Sequence, residues 1–233
     1  MGRRGRSVTV NPPRHFTADY VERVTLRDGT RIVLRLVSPE DKTILETGFH
    51  LLSHESRYAR FLTPKPTLND EELRYLTEVD QEDHFALGAV REDGDGAGNP
   101  VGLGIARFIR MPELHATAEA AVAVADEAQH KGLGKLLFLR LCAAAAERGI
   151  ERFRCEVLGS NTAMAALIAR VSPERTIHVG SGVMSIDMPL PNVTPTVPHD
   201  EPAPEGGLYA LFRAAAENAV EWTAAVRRLW RRD

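Results

Sequence analysis

The stretch Glu119-Ala120-Ala121-Val122-Ala123-Val124-Ala125-Asp126-Glu127-Ala128-Gln129-His130-Lys131-Gly132-Leu133-Gly134-Lys135 decides the fold. It reads as a strand, a loop with glycines at 132 and 134, and the start of a helix that runs from about Gly134 to Arg148 and is closed by Gly149. At such a junction the first amide N–H groups of the helix have no intrahelical partner, and the helix dipole adds to their attraction for an anion. Glycines let a ligand approach the backbone closely, and Lys131 or Lys135 can add a point charge, so the geometry suits a diphosphate. The loop is neither a Walker A motif nor the three-glycine dinucleotide fingerprint.

Working outward, the turn Arg27-Asp28-Gly29-Thr30 precedes an alternating strand, Arg31 to Val37, and Ser38 then caps a helix with Pro39 at its first position. Glu55 to Leu62 forms a short helix, and Asn69 caps another that turns Leu73, Leu76 and Val79 inward. His84 to Arg91 and Val101 to Ile109 are strands joined by a Gly- and Asp-rich loop at 93–99, and Glu119 to Ala125 is the next strand. After the long helix come a strand at Arg152 to Leu158, a helix at Asn161 to Val171, and closing strands at Thr176 to Val179 and Val183 to Met188. The order predicts an α+β domain whose mixed central sheet has six to seven strands and helices on both faces.

That domain covers residues 25–190, with a flexible arm at 1–24, a Pro-rich linker at 191–206 and an amphipathic C-terminal helix at 207–233. Six prolines fall in the sixteen residues from Pro189 to Pro204. The helix carries Leu208, Leu211, Phe212, Ala215, Ala219, Trp222, Val226 and Leu229 at helical spacing, so it packs on the same chain, pairs with a second copy, or docks a partner or a membrane surface.

A net charge of -3 and a pI near 6.3 argue against a nucleic-acid binder with a broad basic face. With no run of eighteen or more apolar residues, neither a membrane span nor a signal peptide is expected. Cys142 and Cys155 have no disulfide-framework spacing, which fits a reducing cytoplasm. No metal is called for.

The loop and the element order together resemble the GNAT acetyltransferase superfamily, whose acyl-CoA motif [Q/R]-x-x-G-x-[G/A] is matched by Gln129, Gly132 and Gly134. The opening Asp28-Gly29-Thr30 and Leu51 to Phe61 (LLSHESRYARF) look like the acetyltransferase domain of bacterial Pat-type protein lysine acetyltransferases. The resemblance implies a GNAT fold in which the strand at Val122, Ala123 and Val124 splays from the strand at Arg152 to Leu158 to make an acyl-CoA cleft. Acetyl-CoA is then the cosubstrate. Gln129, His130, Lys131, Gly132, Leu133, Gly134 and Lys135 face its pyrophosphate, and Asn161, which also caps its helix, contacts its arm. The carbonyl would lie near Val122, polarised by a backbone N–H, and an amine would attack it through a tetrahedral intermediate.

Glu119, ten residues before Gln129, stands where Pat-type enzymes place a catalytic glutamate in an A-E-x-A context. As general base it would take the proton of the acceptor ammonium, and burial beside apolar strand residues would raise its pKa toward the useful range. The alternative is an outward-facing strand carboxylate, with His115 and His84 as other bases. The sequence departs from the family at Ile168, where many members carry a tyrosine that serves the leaving thiolate as acid, and at Ser172-Pro173, where many have Gly-Phe. The activity implied is transfer of acetyl to an amine, a protein lysine before a small molecule; a non-catalytic acyl-CoA sensor is the alternative that Ile168 favours.

Overall fold

The computed structural model describes residues 14–54, 57, 65–92, 100–159, 162–180 and 182–192. Eight strands, β1 (Val21–Thr25), β2 (Arg31–Leu36), β3 (His84–Arg91), β4 (Gly102–Met111), β5 (Leu114–Val124), β6 (Arg152–Leu158), β7 (Thr176–Gly180) and β8 (Val183–Pro189), form one sheet in the order β1-β2-β3-β4-β5-β6-β8-β7. Neighbours are antiparallel except β5 and β6, so the sheet is mixed as the element order predicts. Four helices are described, α1 (Lys42–His50), α2 (Asp70–Thr77), α3 (Leu133–Ala146) and α4 (Thr162–Val171).

The strand count exceeds the expected six to seven because of β1, which lies in the lead-in expected to be irregular. Its burial alternates, with Glu22 and Val24 turned inward, but one inward position holds a carboxylate and the apolar Val21 faces solvent, so the sequence lacks the hydrophobic alternation by which strands are read. The lead-in is anchored from residue 14 onward. Phe16 is wholly buried, its carbonyl accepts a bond from Arg148 Nη2 at 2.8 Å, and Glu22 holds the buried guanidinium of Arg140 at 2.6 and 2.7 Å. But for Arg57, the helix expected at Glu55 to Leu62 lies outside the described residues, as do the loop at 93–99, Asn161, the C-terminal helix at 207–233 and, but for residues 191 and 192, the linker.

The main core sits between the sheet and α3 and α4. Leu133, Leu137, Phe138 and Leu141 of α3 and Leu167 and Ile168 of α4 meet Leu34, Leu87, Phe108 and Phe153 from the strands. Small residues on β5 shape this core: Ala118 and Ala120 stand beside Phe153 and Phe108 in the strand registers, and the two rings meet with centroids 6.0 Å apart. Arg107, next to Phe108, turns to the opposite face and donates to the Leu76 carbonyl of α2 at 3.0 Å. That face carries a smaller core of Phe49, Leu52, Leu68, Leu73 and Leu76 under α1 and α2.

Local signals behave as read at the helix ends. Asn69 Oδ1 accepts from Glu72 N at 2.9 Å and Glu72 returns the bond at 2.8 Å, a reciprocal capping box. Gly149, at φ +72°, ends α3, with Ile150 N bonded to the Ala145 carbonyl and Gly149 N to that of Ala146. In the turn between β1 and β2, Asp28 accepts from Thr30 N at 3.1 Å and Thr30 Oγ1 at 2.8 Å, and reaches Lys131 Nζ at 2.7 Å. Lys131 and Thr30 hold the Asp28 carboxyl at about 2, below its ordinary 3.8.

Two outcomes follow from these contacts. A Cβ on Gly104 would lie 2.9 Å from Leu137 Cδ1 and 3.0 Å from the Ala123 carbonyl, so Gly104→Ala should lower stability by about 1–3 kcal/mol in a denaturant titration. Because Asp28 is depressed in the folded state, its pairing with Lys131 is fully present above about 3.8 and is lost as pH falls through about 2. Carboxyl NMR should give Asp28 that low midpoint, rising toward the ordinary value in Lys131→Gln.

Candidate functional site

A parallel ladder that stops early creates the cleft. β5 and β6 pair only at Thr117 with Arg152, Ala118 with Phe153 and Glu119 with Arg154. Beyond Glu119, β5 continues to Val124 zipped to β4, and β6 continues to Leu158 zipped to β8. Two strand edges therefore face each other without bonding, and their outward N–H and C=O groups can take an extended ligand between them. Val122, Ala123 and Val124 lie on this open edge, as the resemblance implies.

The loop after β5 has a geometry that suits an anion. Gly132, at φ +90°, precedes the first residue of α3 with no side-chain cap, so the first-turn amides remain available. His130 is also left-handed, at φ +63°. A Cβ on Gly134 would sit 3.6 Å from Val124 Cγ2, so helix and strand run close together here. The Gln129 side chain donates to Asp126 Oδ1 at 2.9 Å and to the Val124 carbonyl at 3.3 Å, pinning the loop to the end of β5. Asp126 also accepts from Ser53 N at 2.7 Å, tying the loop to the end of α1. Lys131 Nζ is paired with Asp28 at 2.7 Å. Lys135 keeps positive charge at the helix start: burial, then the neighbouring Arg170 and Arg27, lowers its pKa, which marks a crowd of cations there. Sequence reading missed Arg27 and Arg170, which come from the first hairpin and from α4. The open seam and the uncapped, cation-flanked helix start fit a long ligand ending in phosphates.

Glu119 sits where the seam opens, at the last β5–β6 pair, and is 6% exposed. It is thus a buried carboxylate, and it lines a cavity of about 400 Å³ together with Met111, Arg154, Glu156 and Asp187. Of the alternative bases, His84 is committed elsewhere. Its Nε2 lies 3.0 Å from Arg107 Nη1, and burial together with that guanidinium pushes its pKa down to about 3. His115 is exposed near the β4–β5 turn, and its carbonyl accepts from Arg110.

A cluster invisible in the sequence surrounds this point. Arg107 is 1% exposed, and its burial lowers it to about 9. The Tyr75 ring of α2 lies 5.0 Å from His84, and its phenol is raised by burial and by Glu119 against the opposing pull of Arg107. At the position where many GNAT enzymes carry a tyrosine, Ile168 is wholly buried in the main core.

Comparison with known proteins agrees with this geometry. Residues 49–171 match the model of the acetyltransferase (GNAT) family. The acetyltransferase Pat of Mycolicibacterium smegmatis is 34% identical over 178 residues, which are 76% of this chain and 51% of that protein. The GNAT domain of S. lividans PAT superposes with a TM-score of 0.64 at 28% identity, covering 75% of this chain and 99% of that one. A Salmonella typhimurium structure with its cofactor acetyl-CoA shares the fold, with a TM-score of 0.52 at 19% identity over 74% of this chain and 98% of that one. The chain spans about half the length of the Pat relative, and it belongs to the acetyltransferase (GNAT) family.

Proposed function

We propose that this chain transfers the acetyl group of acetyl-CoA to an amine, in the first place a protein lysine, with Glu119 as general base. The observation that carries the reading is the position of Glu119 at the fork of the seam, with the open strand edges beyond it and the 400 Å³ cavity beside it. A carboxylate there can serve an amine entering from the cavity while the thioester reaches it along the seam. Acetyl-CoA, the family's cosubstrate, supplies an activated acyl carbon.

The chain's own parts divide the work. The first-turn amides of α3 with Gly132, Leu133 and Gly134, joined by Lys135, hold the pyrophosphate. The open edge at Val122, Ala123 and Val124 aligns the pantetheine arm, and a backbone N–H near Val122 receives the charge developing on the carbonyl oxygen. Glu119 takes the proton of the acceptor ammonium. The buried Ile168 offers no proton to the leaving thiolate from the customary position, so water is the donor in this reading. The acyl-CoA sensor reading draws on that same residue. A lysine acceptor draws its support from the similarity to the protein named Pat, and the free, buried Cys142 and Cys155 suit a reducing cytoplasm.

Replacing Glu119 by Gln should leave acetyl-CoA affinity within about twofold of wild type but cut kcat for lysine-peptide acetylation by roughly 10²–10⁴-fold. With the base gone, the remaining rate should climb tenfold per pH unit toward the lysine pKa of about 10.4, because only the free amine then attacks. Wild-type kcat in the variant would overturn the role of Glu119. Tight acetyl-CoA binding by wild type with no thiol release from any amine would favour the sensor.

A further inference from the structure

The wall of the acceptor-side cavity facing Glu119 carries two guanidiniums that share one carboxylate. Arg154 stands beside Glu119 in the parallel register and opposite Asp187 in the antiparallel one. Arg152 donates to Asp187 Oδ1 through Nε at 2.8 Å and also through Nη2, and Arg154 donates to Oδ2 through Nη2 at 3.0 Å. Burial alone would raise Asp187, but the hydrogen bonds from Arg152 and Arg154 outweigh it and keep the carboxylate ionised. Both of its oxygens are engaged, yet it takes up only three N–H groups, and each guanidinium has five. The two arginine side chains are 42% and 36% exposed, and both line the cavity, as do Thr176, His178 and Ser185.

Glu119 and Glu156 line the same cavity and draw an ammonium in, while Arg152 and Arg154 together carry one more charge than the Asp187 they share, so the lining offers a partner for each sign. We propose that the cavity receives an amine whose molecule also bears a carboxylate, with Arg152 and Arg154 holding the carboxylate while the amine faces Glu119. The inference rests on the cavity being the acceptor side of the transfer site. Its dimensions suit such a molecule. Neighbouring strands are about 4.8 Å apart, comparable to the span of one or two residues of an extended peptide at roughly 3.3 Å each. A carboxylate on a residue adjacent to the acceptor lysine, or the α-carboxylate of a free amino acid, supplies the same chemistry. Guanidiniums recognise it by paired N–H bonds that an amide cannot match in charge.

The test uses the full chain with CoA and acetyl-CoA. Binding to the CoA-saturated protein is measured by anisotropy for lysine peptides that differ only in Asp or Asn beside the lysine, and by calorimetry for free amino acids against their amides. Thiol release is followed on the same panel with acetyl-CoA. Carboxylate acceptors should bind about tenfold better than their amide counterparts. Preference among the peptides assigns the carboxylate to a protein, and preference only among the free amino acids assigns it to a small molecule.

In Arg152→Gln/Arg154→Gln/Asp187→Asn, which removes the opposed charges together, the ratio should fall to about one. In Arg152→Lys/Arg154→Lys, which keeps partners for Asp187, it should drop several-fold because the fork geometry is lost. A wild-type ratio within twofold of unity, or a tenfold ratio that survives in either variant, would overturn the assignment and leave the arginines as a tie between β6 and β8. Thiol release without carboxylate preference sinks this inference and spares the transfer reading; preference without release does the reverse.

Discussion

The proposed acetyl transfer depends on one seam of the sheet staying open. β5 is bonded to β4 along nearly its whole length and β6 to β8 throughout, while the two strands share only three register pairs with each other. Unmade strand hydrogen bonds are ordinarily a liability. Here the bonded flanks hold the two edges apart without loss of the sheet. Beneath the closed end of the seam, Phe108 of β4 and Phe153 of β6 meet across β5 because Ala118 and Ala120 are too small to separate them. The alanine-rich text of β5 is therefore a packing requirement as well as a lining for the cleft.

Around the seam the charges sort by distance from water. At the start of α3, Lys135, Arg27 and Arg170 crowd together beside uncapped amides, a costly arrangement that an anionic ligand would relieve. On the other face Arg107 is desolvated and bonds His84 and the Leu76 carbonyl, which ties α2 to the sheet, and burial together with that guanidinium keeps His84 neutral. Glu119 stands at the fork of the seam and lines the cavity beside it.

The sequence made the helix caps, the glycine loop and the order of the elements readable, because each is encoded within a few residues. Asn69 and Gly149 cap their helices as their types demand. Edge strand β1 escaped because its inward positions hold Glu22 and Val24 while the apolar Val21 faces solvent, so the period of two in its burial has no counterpart in hydrophobicity. The pairing of Lys131 with Asp28, about a hundred residues earlier, was not legible because only the tertiary fold brings that turn near the loop. Tyr75, His84 and Arg107 come from a helix and two strands, and the pairing of Arg152 and Arg154 with Asp187 crosses from β6 to β8. Such clusters are products of register, which local pattern does not carry.

The proposed activity requires the seam and its glycine loop to hold acetyl-CoA. Calorimetric titration of acetyl-CoA into wild type and into Gly132→Glu/Gly134→Glu, with circular dichroism on both, tests that directly. Saturable binding to wild type, lost in the variant with its secondary structure intact, is the predicted result. A folded wild type that takes up no acetyl-CoA, or a folded variant that binds it as well as wild type, would contradict the account.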